Sequence, residues 1–319
     1  MFDYTPNMYH RMEATKSTVG ESSHLWFLDR GDSRKYVVKM AKTASGSQDL
    51  VQEYHTNLLY KYVLDKGLGQ VCAVTVPKVR LAGATELAEL RPLIGEVGGQ
   101  AVLIQEFRPG EMLDAFMVKS CIRDNAWTRS TLVENKGFLG SIGVLAGIDV
   151  AFYNTDRLGV APIFSHNGNL GNILAHAQEN GAPSELVAID NVSKKLSQEG
   201  MVNMQRQLHQ LTEMGVGTVG GDILNRMLAT TGDLIGQHGG TSPVYDARQL
   251  SQAGKTLGLG FMQGLIWMRD FIGDEGFEQM REQVDGQASG GIIASTLSTL
   301  NAKGDRTVQH VMEAIAEPD

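Results

Sequence analysis

Cysteine is scarce, with two residues in 319, too few for a disulfide framework or a thiolate metal centre. Free Cys72 and Cys121 beside 14 methionines suit a reducing compartment, so a cytoplasmic location is expected. Basic residues are outnumbered, 28 against 36 acidic, giving a formal net charge of -8. That removes any general electrostatic case for binding nucleic acid, although a local basic site stays open. Long apolar runs are missing too. Nothing approaches the roughly 20 uninterrupted apolar residues that cross a bilayer, and the opening Met1-Phe2-Asp3-Tyr4 has neither the basic nor the apolar region of an export signal. No repeat of fixed period occurs, and the 37 glycines are dispersed rather than gathered in a linker. What is present, 42% hydrophobic and 20% charged residues, is ordinary globular composition, long enough for about two structural units.

Two apolar runs, Leu25–Leu28 and Tyr36–Met40, flank Asp29-Arg30-Gly31-Asp32-Ser33, whose turn chemistry predicts a hairpin. The small polar stretch Lys16–Ser23 before it reads as a loop. Between Ser47 and Leu64 the period changes: Leu50, Tyr54, Leu58 and Tyr62 recur every four residues. That spacing predicts a helix capped by Ser47 and ended near Gly67. Val74–Leu81 and Ala101–Phe107 read as strands, and Arg108-Pro109-Gly110 breaks the second. Downstream the pattern predicts a buried helix over Phe138–Tyr153, a polar loop over Asn154–Asn172, and a hairpin of Ile173–His176 with Leu186–Ile189. Met201–Ala316 reads as a succession of helices, including an apolar one around Leu259–Met268. The expected architecture is α+β and bilobal: a β-rich lobe with one helix over residues 1–107, a hinge near Glu106, and an α-rich lobe over 108–319.

Lys39 lies inside an apolar strand, where an unpaired ammonium is costly unless it points to water. The following helix offers Glu53, with Asp49 one turn earlier as a competitor. A strand lysine paired to a helix glutamate is an arrangement that holds a cation against nucleotide phosphates. A second constellation comprises Asn154-Thr155-Asp156-Arg157, Gly168-Asn169-Leu170-Gly171-Asn172 and Ala188-Ile189-Asp190. Each piece has a plain reading: Asp156-Arg157 as a surface ion pair, Gly168-Asn169 as a turn, Asp190 as a strand end. Together they satisfy phosphoryl transfer, which needs a carboxylate near the acceptor hydroxyl and an Asn and an Asp to bind magnesium. His166 and His176 flank these segments without a third ligand at zinc spacing, and Cys121 has no partner arranged for catalysis.

Asn154-Thr155-Asp156-Arg157-Leu158, Gly168–Leu174 and Val187–Asp190 resemble the catalytic and metal-binding segments of the actin-fragmin kinase family, an atypical branch of the protein-kinase-like fold. The resemblance is specific between Asp149 and Asn191 and extends in organisation over roughly Tyr9 to Leu196. It implies an ATP- and Mg2+-dependent phosphotransferase in which Lys39 contacts the phosphates and Glu53 pairs with Lys39. Asp156 would accept the proton of the attacking hydroxyl, and Asn172 and Asp190 would bind magnesium, with Asn169 competing for the asparagine role. Ser17, Gly20, Ser22 and Ser23 would cover the phosphates. Gln105, Glu106 and Phe107 would offer backbone groups to the adenine edge. The acceptor implied is a protein, actin by the family's name. A lipid or small-molecule kinase and a catalytically inactive interaction module are the alternatives. This chain has one glycine in its phosphate loop and Asn191-Val192 after Asp190, so it departs from ordinary protein kinases.

Overall fold

The hairpin expected around Asp29-Arg30-Gly31 is present in the computed structural model. It describes residues 3–17, 23–31, 35–67, 74–98, 100–122, 133–164, 167–177, 183–191, 197–237, 244–271 and 274–288. Strand β2 (Ser23–Asp29) pairs antiparallel with β3 (Lys35–Ala41), Leu25 opposite Lys39. With β1 (Glu13–Lys16), β5 (Val79–Leu81) and β6 (Val102–Glu106) they make a sheet in the order β1-β2-β3-β6-β5. Successive side chains of a strand face opposite sides, and both faces here are covered. Tyr36, Val38, Met40, Val102 and Ile104 pack with Tyr9, Trp26, Leu90 and Ile94 on one side. Ala41, Val79 and Leu103 pack with Leu50 on the other. Lys39 shares the second face, which turns it toward helix α1 (Ala44–Gly67).

Helix α1 starts three residues earlier than Ser47. Thr43 caps it, its Oγ1 accepting from the Gly46 amide at 3.1 Å, while the Ser47 hydroxyl accepts from the Ala101 amide at 3.0 Å. The helix is thereby tied to the start of β6. The single helix expected in this lobe is joined by a second, α2 (Ala84–Ile94), which carries Pro92 inside it. Val74–Leu81, expected as one strand, divides at Pro77, which has no amide to give a ladder. β4 (Val74–Thr75) then pairs parallel with β9 (Pro183–Ala188) in another sheet, while β5 stays in the first.

That second sheet, in the order β4-β9-β8-β7, contains β7 (Glu111–Met112) and the expected hairpin of β8 (Ile173–Ala177) with β9. Around it lie α3 (Leu113–Ile122), α4 (Lys136–Ala151), α5 (Gln198–Glu213), α6 (Val216–Gln237), α7 (Ala247–Asp270) and α8 (Glu275–Ala288). Helix α4 is buried on almost every side because glycines let α7 approach it at backbone distance. A Cβ on Gly143 would stand 2.1 Å from the Leu257 carbonyl oxygen, and one on Gly147 2.3 Å from that of Phe261. Among the described residues no helix is long and apolar enough to cross a membrane.

Candidate active site

Lys39 is 8% exposed on the inner face of β3. Its Nζ donates to Glu53 Oε1 at 2.6 Å and also pairs with Asp190, which follows β9. Glu53 is buried in the third turn of α1, and Asp49, its competitor, is exposed. Burial would pull the Lys39 ammonium down, but Glu53 and Asp190 outweigh it and hold the amine above its ordinary value. Burial pushes the Glu53 carboxyl up, Asp190 adds to that, and Lys39 opposes it. The Asp190 carboxyl, with a side chain 41% exposed, is held below its usual range by Lys39. Asp190 also has φ 52. This left-handed backbone is uncommon for a residue with a side chain and is often found at functional sites.

The frame around these groups is a buried arginine. Arg157 is fully buried and donates to Asp149 Oδ1 at 2.5 Å, to the Asn172 carbonyl at 3.3 Å, to the Ile189 carbonyl at 2.9 Å, and to Asn191. The surface ion pair read from Asp156-Arg157 is therefore corrected: Arg157 pairs inward with Asp149, while Asp156 alone is exposed. Five donors in a planar fork let one side chain join the end of α4, the start of β8 and the end of β9. Asp149 sits at the end of α4 and also accepts from Tyr60 of α1. Burial pushes its carboxyl up to about 6 against the lowering effect of Arg157. Its second oxygen has no partner among the described residues.

Asn154 fixes the loop from within. Its amide donates to the Asp149 carbonyl at 2.8 Å, and its Oδ1 accepts from the Asp156 amide at 3.1 Å. Asn172 Nδ2 donates to the Asp156 carbonyl at 2.9 Å and lies 3.4 Å from its Oδ2. The neighbouring Ile189 amide donates to the Asn172 carbonyl at 3.0 Å, so Asn172 and Asp190 flank one end of the β8–β9 hairpin. Asn169 spends its Oδ1 on the Gly171 amide at 3.1 Å, capping the 3-10 turn Leu170–Asn172. Gly168, at φ 82, meets the loop so closely that a Cβ would lie 2.6 Å from the Arg157 carbonyl oxygen.

The other expected positions fare differently. Ser17 and Ser23 lie at the facing ends of β1 and β2, with the Ser17 amide donating to the Leu25 carbonyl at 2.8 Å. Gly20 and Ser22 fall outside the described residues, as do Cys72 and His166. Gln105 is buried at the end of β6. The Glu106 and Phe107 amides donate to the Lys78 and Lys35 carbonyls at 2.9 and 3.1 Å, so neither amide is free to meet an adenine edge. The strand itself, Val102–Glu106, falls one residue short of the expected Ala101–Phe107 at each end. Among the described residues no three His, Cys, Asp or Glu side chains cluster for a metal. The positioning roles of Asp149, Asn154 and Asn191 had no signal beyond their place among the motif segments, and that of Tyr60, which reaches Asp149 from α1, had none.

No family model matches the chain, and no curated protein matches it. Solved structures that resemble it include the kinase domain of the maize sucrose-induced receptor kinase 1 bound to AMP-PNP, at 12% identity over 99% of this chain and 97% of that one, with a TM-score of 0.34. An aminoglycoside phosphotransferase from Alicyclobacillus acidocaldarius is 8% identical over 95% and 92%, with a TM-score of 0.27. Amicoumacin kinase in complex with AMP-PNP and Ca2+ is 11% identical over 91% and 92%, with a TM-score of 0.25. At this distance the fold is read from the chain's own topology. It is α+β: a five-stranded antiparallel sheet with helix α1 beside a mainly helical region that carries a second, four-stranded sheet.

Proposed function

We propose that the chain is an ATP- and magnesium-dependent phosphotransferase acting on a hydroxyl group of a protein. One observation carries this reading: Lys39 pairs with both Glu53 and Asp190, on the same frame that holds Asp156 beside Asn172. Held charged by two carboxylates, Lys39 is a preformed cation for phosphate oxygens. Asp156, exposed and with its backbone fixed by Asn154, would accept a proton from an incoming hydroxyl. The donor set fits magnesium. Asn172 Oδ1 and the second oxygen of Asp190 have no partner among the described residues. Two hard oxygen ligands are what an ion that keeps waters and phosphate oxygens requires of a protein. When bound, magnesium and ATP supply the transferable phosphoryl group and the neutralisation of its charge.

Within this proposal residues 1–107 form the nucleotide-binding lobe and 108–319 the lobe that presents catalytic loop and acceptor, and the protein is cytoplasmic. The protein acceptor, with actin as first candidate, rests on the motif resemblance to the actin-fragmin kinase family. Incubation with γ-labelled ATP and magnesium, in parallel with actin, a mixed protein substrate, lipid vesicles and small polyols, tests both parts. Label on a protein hydroxyl is expected. Label confined to lipid or polyol would move the acceptor class, and ATP binding without transfer to any acceptor would mark an interaction module.

A further inference from the structure

Helix α1 carries Glu53, yet its two halves belong to different cores. Leu50 packs with Ala41, Val79 and Leu103 under the small sheet, whereas Leu59, Tyr60, Val63 and Leu64 join the core of the large lobe. Two polar attachments fix that second half. Tyr60 donates inward to Asp149. Tyr62 donates to Asp274, just ahead of α8, and Lys66 Nζ donates to Asp274 Oδ2 at 3.0 Å and to the Tyr62 hydroxyl at 2.5 Å. Asp274 also accepts from the Phe277 amide at 3.1 Å. The Tyr62 ring meets Phe271 at 5.9 Å, and Phe271 stacks on the fully buried Phe277 at 5.8 Å. At Gly276 a Cβ would stand 2.8 Å from the Tyr62 hydroxyl oxygen, so α8 lies directly on the tyrosine. The hydrogen bond from Tyr62, then Lys66, holds the Asp274 carboxyl down at about 2, so the contact is ionic throughout the physiological range.

We infer that Tyr62, Lys66, Asp274 and Gly276 form a brace by which the C-terminal helical region fixes the tilt of α1 and thereby holds Glu53 against Lys39. They are positioning residues for the reaction proposed above, and the inference rests on that reading. Residues 60 and 62 point about 200° apart around a helix, so the two attachments grip α1 from opposite sides. With only the inner one left, the helix can swivel. Glu53 lies about 13 Å along the axis from Tyr62, so a tilt of about 10° displaces its carboxylate by about 2 Å. A displacement of that size breaks the Lys39–Glu53 contact of 2.6 Å.

Hydrogen–deuterium exchange on the full chain tests the brace, comparing wild type with Asp274→Ala, Asp274→Asn and Gly276→Ala. Lys61→Ala, which removes only an exposed pair with Asp65, serves as control. We expect amides 50–58 to exchange about tenfold faster in Asp274→Ala and Gly276→Ala, with α6 and α7 unchanged, and kcat to fall by about the same factor. Asp274→Asn, which keeps an acceptor for Tyr62 but removes the charge, should lie between. Unchanged exchange at 50–58, an increase confined to α8, or an increase spread evenly over the chain would overturn the brace. A wild type that shows the exchange contrast but transfers no phosphate would support the brace and refute the phosphotransferase reading.

Discussion

Asp156 and Arg157 are adjacent in the chain and opposite in environment, one exposed and the other fully buried. No pattern in one sequence separates two neighbouring loop residues in this way, because the loop's direction is set by Asn172 and Ile189 from elsewhere as well as by Asn154 within it. The residues proposed to bear the chemistry are picked out by their types and order, and the structure brings Lys39, Glu53 and Asp190 together. The residues that hold them were not legible, since the partners of Arg157 lie 8 to 34 positions away. One consequence concerns pH. The Asp149 carboxyl is raised to about 6, so between its ordinary value near 4 and that point the folded chain holds a proton the unfolded chain releases. Its contribution favours the fold at low pH and is lost as pH rises through 6. The stability of wild type relative to Asp149→Asn should therefore decline by up to about 3 kcal/mol from pH 4 to pH 7. A flat difference in denaturant titrations across that range would contradict the assignment. A second consequence separates the two asparagines. Asn172→Ala should cost orders of magnitude in turnover, because it removes the oxygen proposed to bind magnesium. Asn169→Ala loses only a turn cap and should cost about tenfold or less. Steady-state kinetics with the reverse ranking would move the metal ligand to Asn169.

Helix α1 shows how far periodicity carries at the level of elements. The four-residue spacing located the helix, but of the stripe it picked out, Tyr54, Leu58 and Tyr62 are only half-buried while Glu53 is buried, and the start shifted because Thr43, rather than Ser47, supplies the cap. Pro92 disguised α2, and Pro77 split what reads as one strand between two sheets. Both depend on tertiary pairing that a breaker residue hides. Glycine in the α4, α6 and α7 sequences likewise reads as a weakness of helix propensity, but the packing reverses its meaning at some positions. A Cβ on Gly220 would lie 1.8 Å from the Gly254 carbonyl oxygen, whereas one on Gly221 would meet nothing within 4 Å. Gly220→Ala must push α6 and α7 apart and should cost more than about 3 kcal/mol. Gly221→Ala should raise stability by about 0.5–1 kcal/mol through helix propensity. Chemical denaturation of the two variants checks the contrast, and equal effects would contradict the backbone-distance packing of these helices.

At the scale of the whole molecule, the two lobes were legible as a change from period two to period 3.6 along the chain. Their interlocking was not, because α1 and β4 precede the expected division at 107/108 yet contribute to the large core and sheet. That interlock brings Lys39 from one lobe and Asp190 from the other within bonding distance. Without it the ammonium of a buried strand lysine would be left with Glu53 alone. The central claim is that this junction is a site for magnesium and nucleotide phosphates. The most direct measurement is calorimetric titration of ATP into folded wild-type and Asp190→Ala protein, each with and without magnesium. The account predicts that wild type binds ATP more tightly when magnesium is present and that Asp190→Ala loses this gain, an affinity difference of about tenfold or more. Wild-type protein that binds no ATP, or an Asp190→Ala variant with the same magnesium-dependent affinity, would contradict it.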